Sequence, residues 1–279
     1  MQLKRRTLLS GLAASAAVPF MSAAHAKQAD ADTKWDKETD VLVIGYGGAG
    51  ACAAIEAHDN GSKVLIIEKM VQPGGNTAIS SGGFMVPQDG PTALKYLTAT
   101  YDLANSEKDD ELLNTFCKEI MGVKDWMTGL KEGTELWVYG HAGFQNLPGW
   151  EVIDKYRVRG KKRSGDCLFD LYRYAVEEKR NIPVMLETPA VQLIQKDGQV
   201  VGAVAKNNGK NINIKANKAV ILTTGGYEFD PESLRTYAQG ENYHALGNPG
   251  NTGDGLRMAQ SMGARLWHMT AYSLSLIHI

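Results

Sequence analysis

The sequence is short of the residue patterns that bind metals or build a covalent scaffold. Its 279 residues contain three cysteines, Cys52, Cys117 and Cys167, and their spacing matches no zinc, iron–sulfur or c-type haem motif. Cys52 and Cys117 fall on the apolar faces of predicted helices, where cysteine usually serves as a small buried hydrophobe. The sequence therefore predicts neither a metal site nor a disulfide framework.

An excess of either charge is also lacking. Thirty basic and 31 acidic residues leave a formal net charge of −1, so no overall field attracts the protein to nucleic acid or to anionic lipid. After residue 26 there is no apolar run of the roughly 20 residues that a membrane-spanning helix requires. With 43% apolar and 22% charged residues, the composition is that of an ordinary globular protein.

The first 26 residues have the features of an export signal. Arg5 and Arg6 precede the uncharged residues 7–24, and Ala24-His25-Ala26 offers a small-x-small cleavage site. The paired arginines followed by leucines resemble a Tat signal, and the Tat route suits a protein that folds around a cofactor before export. We therefore expect the protein in the periplasm or at the cell exterior. An ordinary Sec signal and an uncleaved anchor are the alternatives, and the small residues of the run argue against the anchor.

Apolar periodicity places a strand–helix–strand unit first in the remaining chain. Val41–Ile44 and Val64–Ile67 are short β-branched runs typical of buried strands, and an alanine-rich helix is predicted from about Gly48 to Asn60. The clearest later helix, at 109–130, places Leu112 and its spaced partners on one apolar face. The other predicted segments are a loop over 71–91, helices over 92–130, irregular structure over 131–164 and a helix over 166–180.

From residue 184 the apolar period changes to two. Asp197-Gly198 and Asn207-Asn208-Gly209 are hairpin turn signals, so the strands around them form an antiparallel meander. The predicted strands are 184–186, 191–195, 200–205, 211–214 and 219–222. Parallel-type strands flanking such a meander favour an α/β fold with a meander inserted into a Rossmann-like domain.

A glycine motif lies between the first strand and its helix. Gly45-Tyr46-Gly47-Gly48-Ala49-Gly50 is a G-x-G-x-x-G sequence, in which the first glycine makes the turn, the second admits a pyrophosphate and the third lets helix and strand pack closely. Free N–H groups and the helix dipole favour an anion there. Glu68 closes the second strand, where an acid accepts hydrogen bonds from a ribose diol. Together these features predict dinucleotide binding and leave FAD and NAD both open.

Three later glycine-rich segments make a family resemblance specific. Residues 73–83 bracket small polar residues between two diglycines, residues 223–227 form a glycine turn after a strand, and Asn251–Gly255 contains a T-G-D-G element. In this order, and together with the first motif, they resemble the fumarate reductase and succinate dehydrogenase flavoprotein superfamily. The matching segments extend over residues 41–264. The resemblance selects FAD as the cofactor.

The resemblance also implies roles for individual residues. It implies that Glu68 holds the adenosine ribose, that Ala190 contacts the adenine side through its backbone, and that no side chain binds a metal. The pyrophosphate is expected at Gly45, Gly47, Ala49 and Gly50, the isoalloxazine and ribityl at Asn76, Thr77, Gly82 and Gly83, and the closing contacts at Thr224, Gly225 and Asp254. Because Asn76 stands where the succinate dehydrogenase branch has the histidine that carries covalent FAD, we expect non-covalent FAD.

The implied activity is hydride transfer between FAD and an activated C=C bond of a small organic acid or enone. The small-molecule substrate would be reduced at the expense of an external electron donor, a cytochrome or a quinol-linked protein, because the sequence has no haem motif of its own. A 3-ketosteroid dehydrogenase-like desaturase is the alternative enzyme, favoured by residues 82–87. A non-catalytic FAD-binding module and an NAD-dependent dehydrogenase are the alternatives from other classes.

The resemblance divides the chain into segments. We expect an export signal at 1–26, a linker at 27–38, an incomplete FAD-binding domain at 39–228 and the truncated start of a cap domain at 229–272. Residues 273–279 resemble one reading frame of a sequencing-library adapter, with a genuine strand-like tail as the alternative. The family's substrate-binding and proton-delivering residues lie beyond the T-G-D-G helix, so no catalytic residue is named.

Overall fold

The computed structural model describes residues 26–30, 33–104, 106–141, 143–238 and 244–269. The export signal up to residue 25 and the tail at 273–279 lie outside the described residues, so the predictions made for them stay predictions. The described strands are β1 Lys27–Gln28, β2 Lys37–Ile44, β3 Val64–Ile67, β4 Phe84–Pro87, β5 Leu136–His141, β6 Ile153–Val158, β7 Val184–Met185, β8 Ala190–Lys196, β9 Gln199–Asn207 and β10 Lys210–Leu222.

The helices lie between these strands and after the last of them. In chain order they are α1 Gly48–Asp59, α2 Gly75–Ile79, α3 Gly90–Leu103, α4 Asp110–Glu119, α5 Val123–Gly129, α6 Ser164–Arg173, α7 Pro231–Tyr237 and α8 Asp254–Ser261. A 3₁₀ turn at Ile120–Gly122 joins α4 to α5, and a π turn at Tyr174–Glu178 extends α6. No helix of the described ranges is long and apolar enough to cross a membrane.

Within the described residues, seven strands form the main sheet in the order β1-β8-β9-β10-β2-β3-β7. Parallel pairing joins β10, β2, β3 and β7, whereas β8, β9 and β10 form an antiparallel meander. The predicted α/β architecture, a Rossmann-like domain with a meander, is confirmed. The carboxyl ends of β2, β3 and β10 therefore meet at one edge of the sheet.

Strand β2 is apolar throughout its second half because both faces of the sheet are covered there. Val41 and Val43 belong to a core cluster shared with α1 and α6. Leu42 and Ile44 belong to a second cluster, shared with the meander and with Met258 of α8. A strand buried on both faces loses the apolar–polar alternation of a half-exposed strand. Each of these aliphatic side chains contributes roughly 1.5–3 kcal/mol on burial.

Strand β10 corrects the prediction of two separate strands at 211–214 and 219–222. It runs unbroken from Lys210 to Leu222, with its first half antiparallel to β9 and its second half parallel to β2. The register against β2 shifts between Ala216 and Ala219. Such a bulge bends a strand without ending it, and so a single strand joins the meander to the parallel sheet.

The prediction of irregular structure over 131–164 is wrong. Strands β5 and β6 lie in this segment and pair antiparallel with each other and with β4, in the order β4-β6-β5. The sequence of this segment is typical of a loop because aromatic and basic side chains occupy one face of the strands. Two of them stack, with the guanidinium of Arg157 3.9 Å from the ring centre of Tyr139. Those residues replace the apolar alternation that identifies a strand.

Strand pairing occurs inside the segment predicted as a linker at 27–38, while the predicted domain bounds, including the one at residue 229, stay predictions. Lys27–Gln28 pairs in parallel with β8, and β2 begins as early as Lys37. Backbone hydrogen bonds suffice for this pairing, for example from the N–H of Ala29 to the carbonyl of Gln195 at 2.7 Å. Met258 of α8 is buried in the core cluster of the sheet, so α8 packs against the sheet.

Helix α4 buries a different face from the predicted one. Leu113 and Cys117 are buried, whereas Leu112 and Phe116 are 56% and 48% exposed. Both i, i+4 pairs have the same helical spacing, so the periodicity alone does not choose between them. The burial of Cys117 agrees with its expected role as a small hydrophobe.

An ion pair fixes the end of α1 to the segment after α6, and it predicts a pH-dependent stability. Arg180 donates from Nε and Nη2 to the two carboxylate oxygens of Asp59 at 2.7 and 2.6 Å, which lowers the pKa of Asp59 to about 2. An unfolded chain has an aspartate pKa of about 3.9. The stabilisation is thus complete above that value and is lost as the pH falls toward the folded pKa.

We expect Asp59→Asn to lower the free energy of unfolding by about 1 kcal/mol at neutral pH, a value that allows for solvent screening of the half-exposed carboxylate. The difference from the unaltered protein should shrink as the pH is lowered through 4, as measured by urea denaturation. The exposed Glu132 provides the control, because Glu132→Gln should leave stability unchanged at each pH. An equal loss for Asp59→Asn at neutral and acidic pH would contradict the assigned cause.

Candidate functional site

A cavity of about 570 Å³ opens where β2, β3 and β10 end. Ligands of doubly wound sheets bind outside the carboxyl ends of the parallel strands, where the crossovers diverge. The volume falls in the range of roughly 300–1,000 Å³ that small-molecule sites occupy. The last residues of the three strands, Ile44, Ile67 and Leu222, form part of the wall.

The first and third glycines of the G-x-G-x-x-G motif are required by packing. Gly45 has φ +108°, and a Cβ on it would collide with the carbonyl oxygen of Thr223. A Cβ on Gly50 would collide with the carbonyl oxygen of Gly45. Thr223 reinforces the contact, since its hydroxyl donates to the Gly45 carbonyl at 2.9 Å. The turn, α1 and β10 are therefore packed backbone to backbone.

The start of α1 faces the cavity through Gly47, Gly48 and Ala49. The N-cap residue Gly47 has no side chain to accept from the helix N–H groups, and no acidic residue lies in the first turn of α1. The N–H of Gly48 donates to the hydroxyl of Thr77 at 3.0 Å. A helix N-terminus with this composition suits a phosphate bound by backbone N–H groups. Because Gly47 and Gly48 have no side chains, a ligand in the cavity can come close to their backbone.

Glu68 is buried beside the glycine turn. One carboxylate oxygen accepts a hydrogen bond from the N–H of Tyr46 at 2.7 Å, and the other accepts one from the N–H of Met70 at 2.8 Å. Each oxygen keeps a second lone pair, so the carboxylate can still accept from a hydroxyl in the cavity. Thr188, fully buried, and Ala190 line the same end.

The opposite wall comes from the turn after β10 and from the start of α8. Gly225 has φ +73°, and a Cβ on it would collide with the side chain of Asn251. Asp254 begins α8 and accepts a hydrogen bond from Nζ of Lys69 at 2.6 Å, and the same amine donates to Thr252 at 2.7 Å. This ion pair connects the end of β3 to α8 across the cavity.

The structure brings most of the predicted site residues together. Those in the cavity lining are Gly45, Gly47, Ala49, Glu68, Asn76, Thr77, Ala190, Thr224, Gly225 and Asp254. Their roles toward individual parts of a cofactor stay predictions.

Gly50, Gly82 and Gly83 are not in the lining. Gly50 packs α1 against the turn, as described above. A Cβ on Gly82 would collide with the backbone of Ser164, and one on Gly83 with the hydroxyl of Tyr139. In this structure the diglycine therefore allows close packing against α6 and β5, and its predicted approach to an isoalloxazine stays a prediction.

Three polar residues at the cavity were missed by the sequence analysis. Lys69 follows the predicted Glu68 directly, and Asn251 opens the T-G-D-G segment, so proximity to a motif was an available signal for both. Glu228 follows the glycine turn and holds Asn76 and Asn251 through its carboxylate. Glu228 directly follows the glycine turn predicted at 223–227, so the same signal was available for it. Over the described ranges, no group of three or more His, Cys, Asp or Glu residues could hold a metal ion.

Comparison with known families and sequences gives consistent matches. A family model described as FAD binding domain matches residues 40–275. A fumarate reductase (cytochrome) of Shewanella frigidimarina is 31% identical over 241 residues, which cover 82% of this chain and 41% of that protein. A urocanate reductase of Eggerthella lenta is 32% identical over 246 residues, which cover 83% and 39%. The chain thus spans about two fifths of the length of these relatives.

Solved structures of two enzyme types share the fold. A 3-ketosteroid-Δ4-(5α)-dehydrogenase from Rhodococcus jostii RHA1 superposes with a TM-score of 0.72 at 25% identity, covering 88% of this chain and 58% of that one. The open conformation of a flavocytochrome c3 fumarate reductase gives a TM-score of 0.71 at 28% identity, covering 83% and 41%.

Proposed function

Because this chain belongs to the FAD binding domain family, we propose that it binds FAD in the cavity at the strand ends. We further propose that it is part of an oxidoreductase that reduces activated C=C bonds. FAD, and not NAD, is the cofactor of this family, which decides between the two dinucleotides left open by the glycine motif. The observation that carries the proposal is the glycine cradle itself. The glycine-rich start of α1, which has no acidic residue in its first turn, faces a cavity that is also lined by Glu68, Asn76 and Asp254.

The cavity residues offer groups suited to each part of this cofactor, and we assign them accordingly. Backbone N–H groups at the start of α1 would bind the pyrophosphate, and Glu68 would accept from the adenosine ribose. Asn76 and Thr77 would lie beside the flavin end, with Gly225 and Asp254 opposite them. When bound, FAD supplies the hydride chemistry, and these residues bind and orient it.

The substrate class follows from the relatives. The relatives include reductases of fumarate, urocanate and acrylate, three carboxylates conjugated to a C=C bond. We propose a small unsaturated carboxylic acid as the substrate and an external cytochrome or quinol-linked protein as the electron donor. We also propose export by the Tat route, on the basis of Arg5, Arg6 and the uncharged stretch that follows them.

A 3-ketosteroid substrate is the second candidate, and the match in fold to a ketosteroid dehydrogenase supports it. A substrate panel separates the two candidates by the colour of the flavin. Reduced flavin that is reoxidised by fumarate, acrylate or urocanate favours the reductase, whereas oxidised flavin that is bleached by a saturated 3-ketosteroid favours the dehydrogenase. The panel requires a chain that includes the substrate-binding residues, which the family resemblance places beyond the T-G-D-G helix. In such a chain, a flavin that responds to neither class would favour a non-catalytic FAD-binding module.

The binding proposal predicts a yellow protein that carries one FAD per chain. Since Asn76 is not a nucleophile of the kind that anchors covalent flavin, acid precipitation should leave all of the FAD in the supernatant. Absorbance of the supernatant and of the redissolved pellet measures both fractions. A colourless protein that takes up no FAD on titration would contradict the proposal, and a yellow pellet would contradict non-covalent binding.

A further inference from the structure

One carboxylate joins two segments of the cavity wall that are far apart in the sequence. Oε1 of Glu228 accepts hydrogen bonds from Nδ2 of Asn76 at 2.8 Å and from Nδ2 of Asn251 at 2.7 Å. Asn76 lies in α2 and Asn251 lies in the turn before α8, and both residues line the cavity. A single oxygen thus connects the two segments.

Asn76 makes a second connection to the same turn. Its Oδ1 accepts a hydrogen bond from the N–H of Asn248 at 2.7 Å, while Oδ1 of Asn248 accepts from the N–H of Gly250 at 2.8 Å. The side-chain amide of Asn76 is therefore held at both ends, by Glu228 and by the backbone of the turn. We call the set Glu228, Asn76, Asn248 and Asn251 the clasp.

The surrounding backbone leaves room for the carboxylate. A Cβ on Gly226 would lie 2.5 Å from Oε2 of Glu228, and a Cβ on Gly247 would lie 2.9 Å from Oε1. Any side chain at either position would displace the carboxylate. Asn251 is only 6% exposed, so its amide depends on Glu228 for a partner that water supplies poorly.

We propose that Glu228 is a positioning residue that closes the clasp over bound FAD and slows its release. The inference rests on the proposed function, because the clasp borders the cavity assigned to FAD. The cavity wall at Asn76 is the end where the flavin is expected. A clasp that holds this wall to the turn before α8 must open before the flavin can leave.

The test uses the full 279-residue chain loaded with FAD, and measures FAD release by the recovery of flavin fluorescence after dilution. Glu228→Ala should release FAD about 10- to 100-fold faster, the change expected when two hydrogen bonds to a charged group are lost. Glu228→Gln keeps a carbonyl oxygen that can accept from both amides, and it should stay within about threefold of the unaltered protein.

A double-mutant cycle separates the clasp from a general loss of structure. Asn76→Ala should also speed release, and the double variant should be faster than either single variant by less than the product of the two factors, because the Asn76–Glu228 contact is lost in both. Glu232→Ala, at an exposed position in α7, is the matched control and should leave the release rate unchanged. The melting temperatures of the FAD-free variants report on folding.

Each outcome separates the clasp from the proposed function. An unaltered chain that binds no FAD would overturn the proposed function and the clasp with it. FAD binding with unchanged release from Glu228→Ala would overturn the clasp alone. If Glu228→Ala does not fold, Gly226→Ala displaces the carboxylate without removing it and carries the test: faster release supports the clasp, and unchanged release overturns it.

Discussion

Replacing Gly50 with alanine is expected to abolish FAD binding and to lower the free energy of unfolding by about 3 kcal/mol, at the upper end for an overpacked site. The added methyl group would collide with the carbonyl oxygen of Gly45 and lie 2.9 Å from the hydroxyl of Thr223. The Gly45 carbonyl belongs to the backbone directly after β2, and the Thr223 hydroxyl is held by hydrogen bonds to the carbonyls of Ile44 and Gly45. Helix α1 must therefore move away, and the N–H groups that face the phosphates move with it.

Flavin fluorescence quenching measures the affinity of Gly50→Ala for FAD, which we expect to fall at least 100-fold, or about 2.8 kcal/mol. Urea denaturation measures the free energy of unfolding of the same variant. Gly129→Ala is the matched control, because Gly129 is also a helical glycine and its Cβ would have no atom of the described chain within 4 Å. Alanine there should stabilise α5 by up to about 1 kcal/mol and leave FAD binding unchanged. Near-normal FAD affinity of Gly50→Ala would show that the helix start does not bind the pyrophosphate.

The parts of the fold that the sequence predicted are those encoded by short-range patterns. Val41–Ile44 is uniformly apolar because both faces of the sheet are buried, and Gly45 and Gly50 mark a turn where backbone packs against backbone. The strands β5 and β6 were missed because aromatic and basic residues replace the apolar alternation there. Arg157 and Tyr139, for example, stack on each other across the two strands. A contact of this kind between strands produces neither an apolar period nor a turn signal in the sequence.

For the candidate site too, short-range patterns were predicted and contacts between distant parts of the chain were not. Residues inside a motif, such as Glu68 and Asp254, were predicted and line the cavity. Glu228 and Lys69 reach partners more than 150 residues away in the chain. A polar side chain in a loop has no period to identify it, and its partner is defined only once the sheet has brought the two loops together.

Substitution of Glu68 should separate the adenosine end of the cavity from the flavin end. Glu68→Ala leaves the buried N–H groups of Tyr46 and Met70 without their acceptor, and each such loss costs about 1–3 kcal/mol; we expect the free energy of unfolding to fall by about 3 kcal/mol. Glu68→Gln retains one acceptor oxygen but turns an NH₂ group toward the other N–H. It should fold, and it should bind FAD about 10- to 100-fold more weakly, because the ribose loses a charged acceptor.

ADP shares the adenosine and pyrophosphate of FAD and has no flavin, so its affinity identifies the end at which each residue acts. Glu68→Gln should weaken ADP and FAD by the same factor, whereas Glu228→Ala should weaken FAD and leave ADP unchanged. Isothermal titration of both ligands measures the four values, with Glu151→Gln, an exposed position, as the control. The opposite pattern, with ADP sensitive to Glu228 and indifferent to Glu68, would mean that FAD lies in the cavity in the reverse direction. The assignment of Glu68 to the ribose and of the clasp to the flavin would then both be wrong.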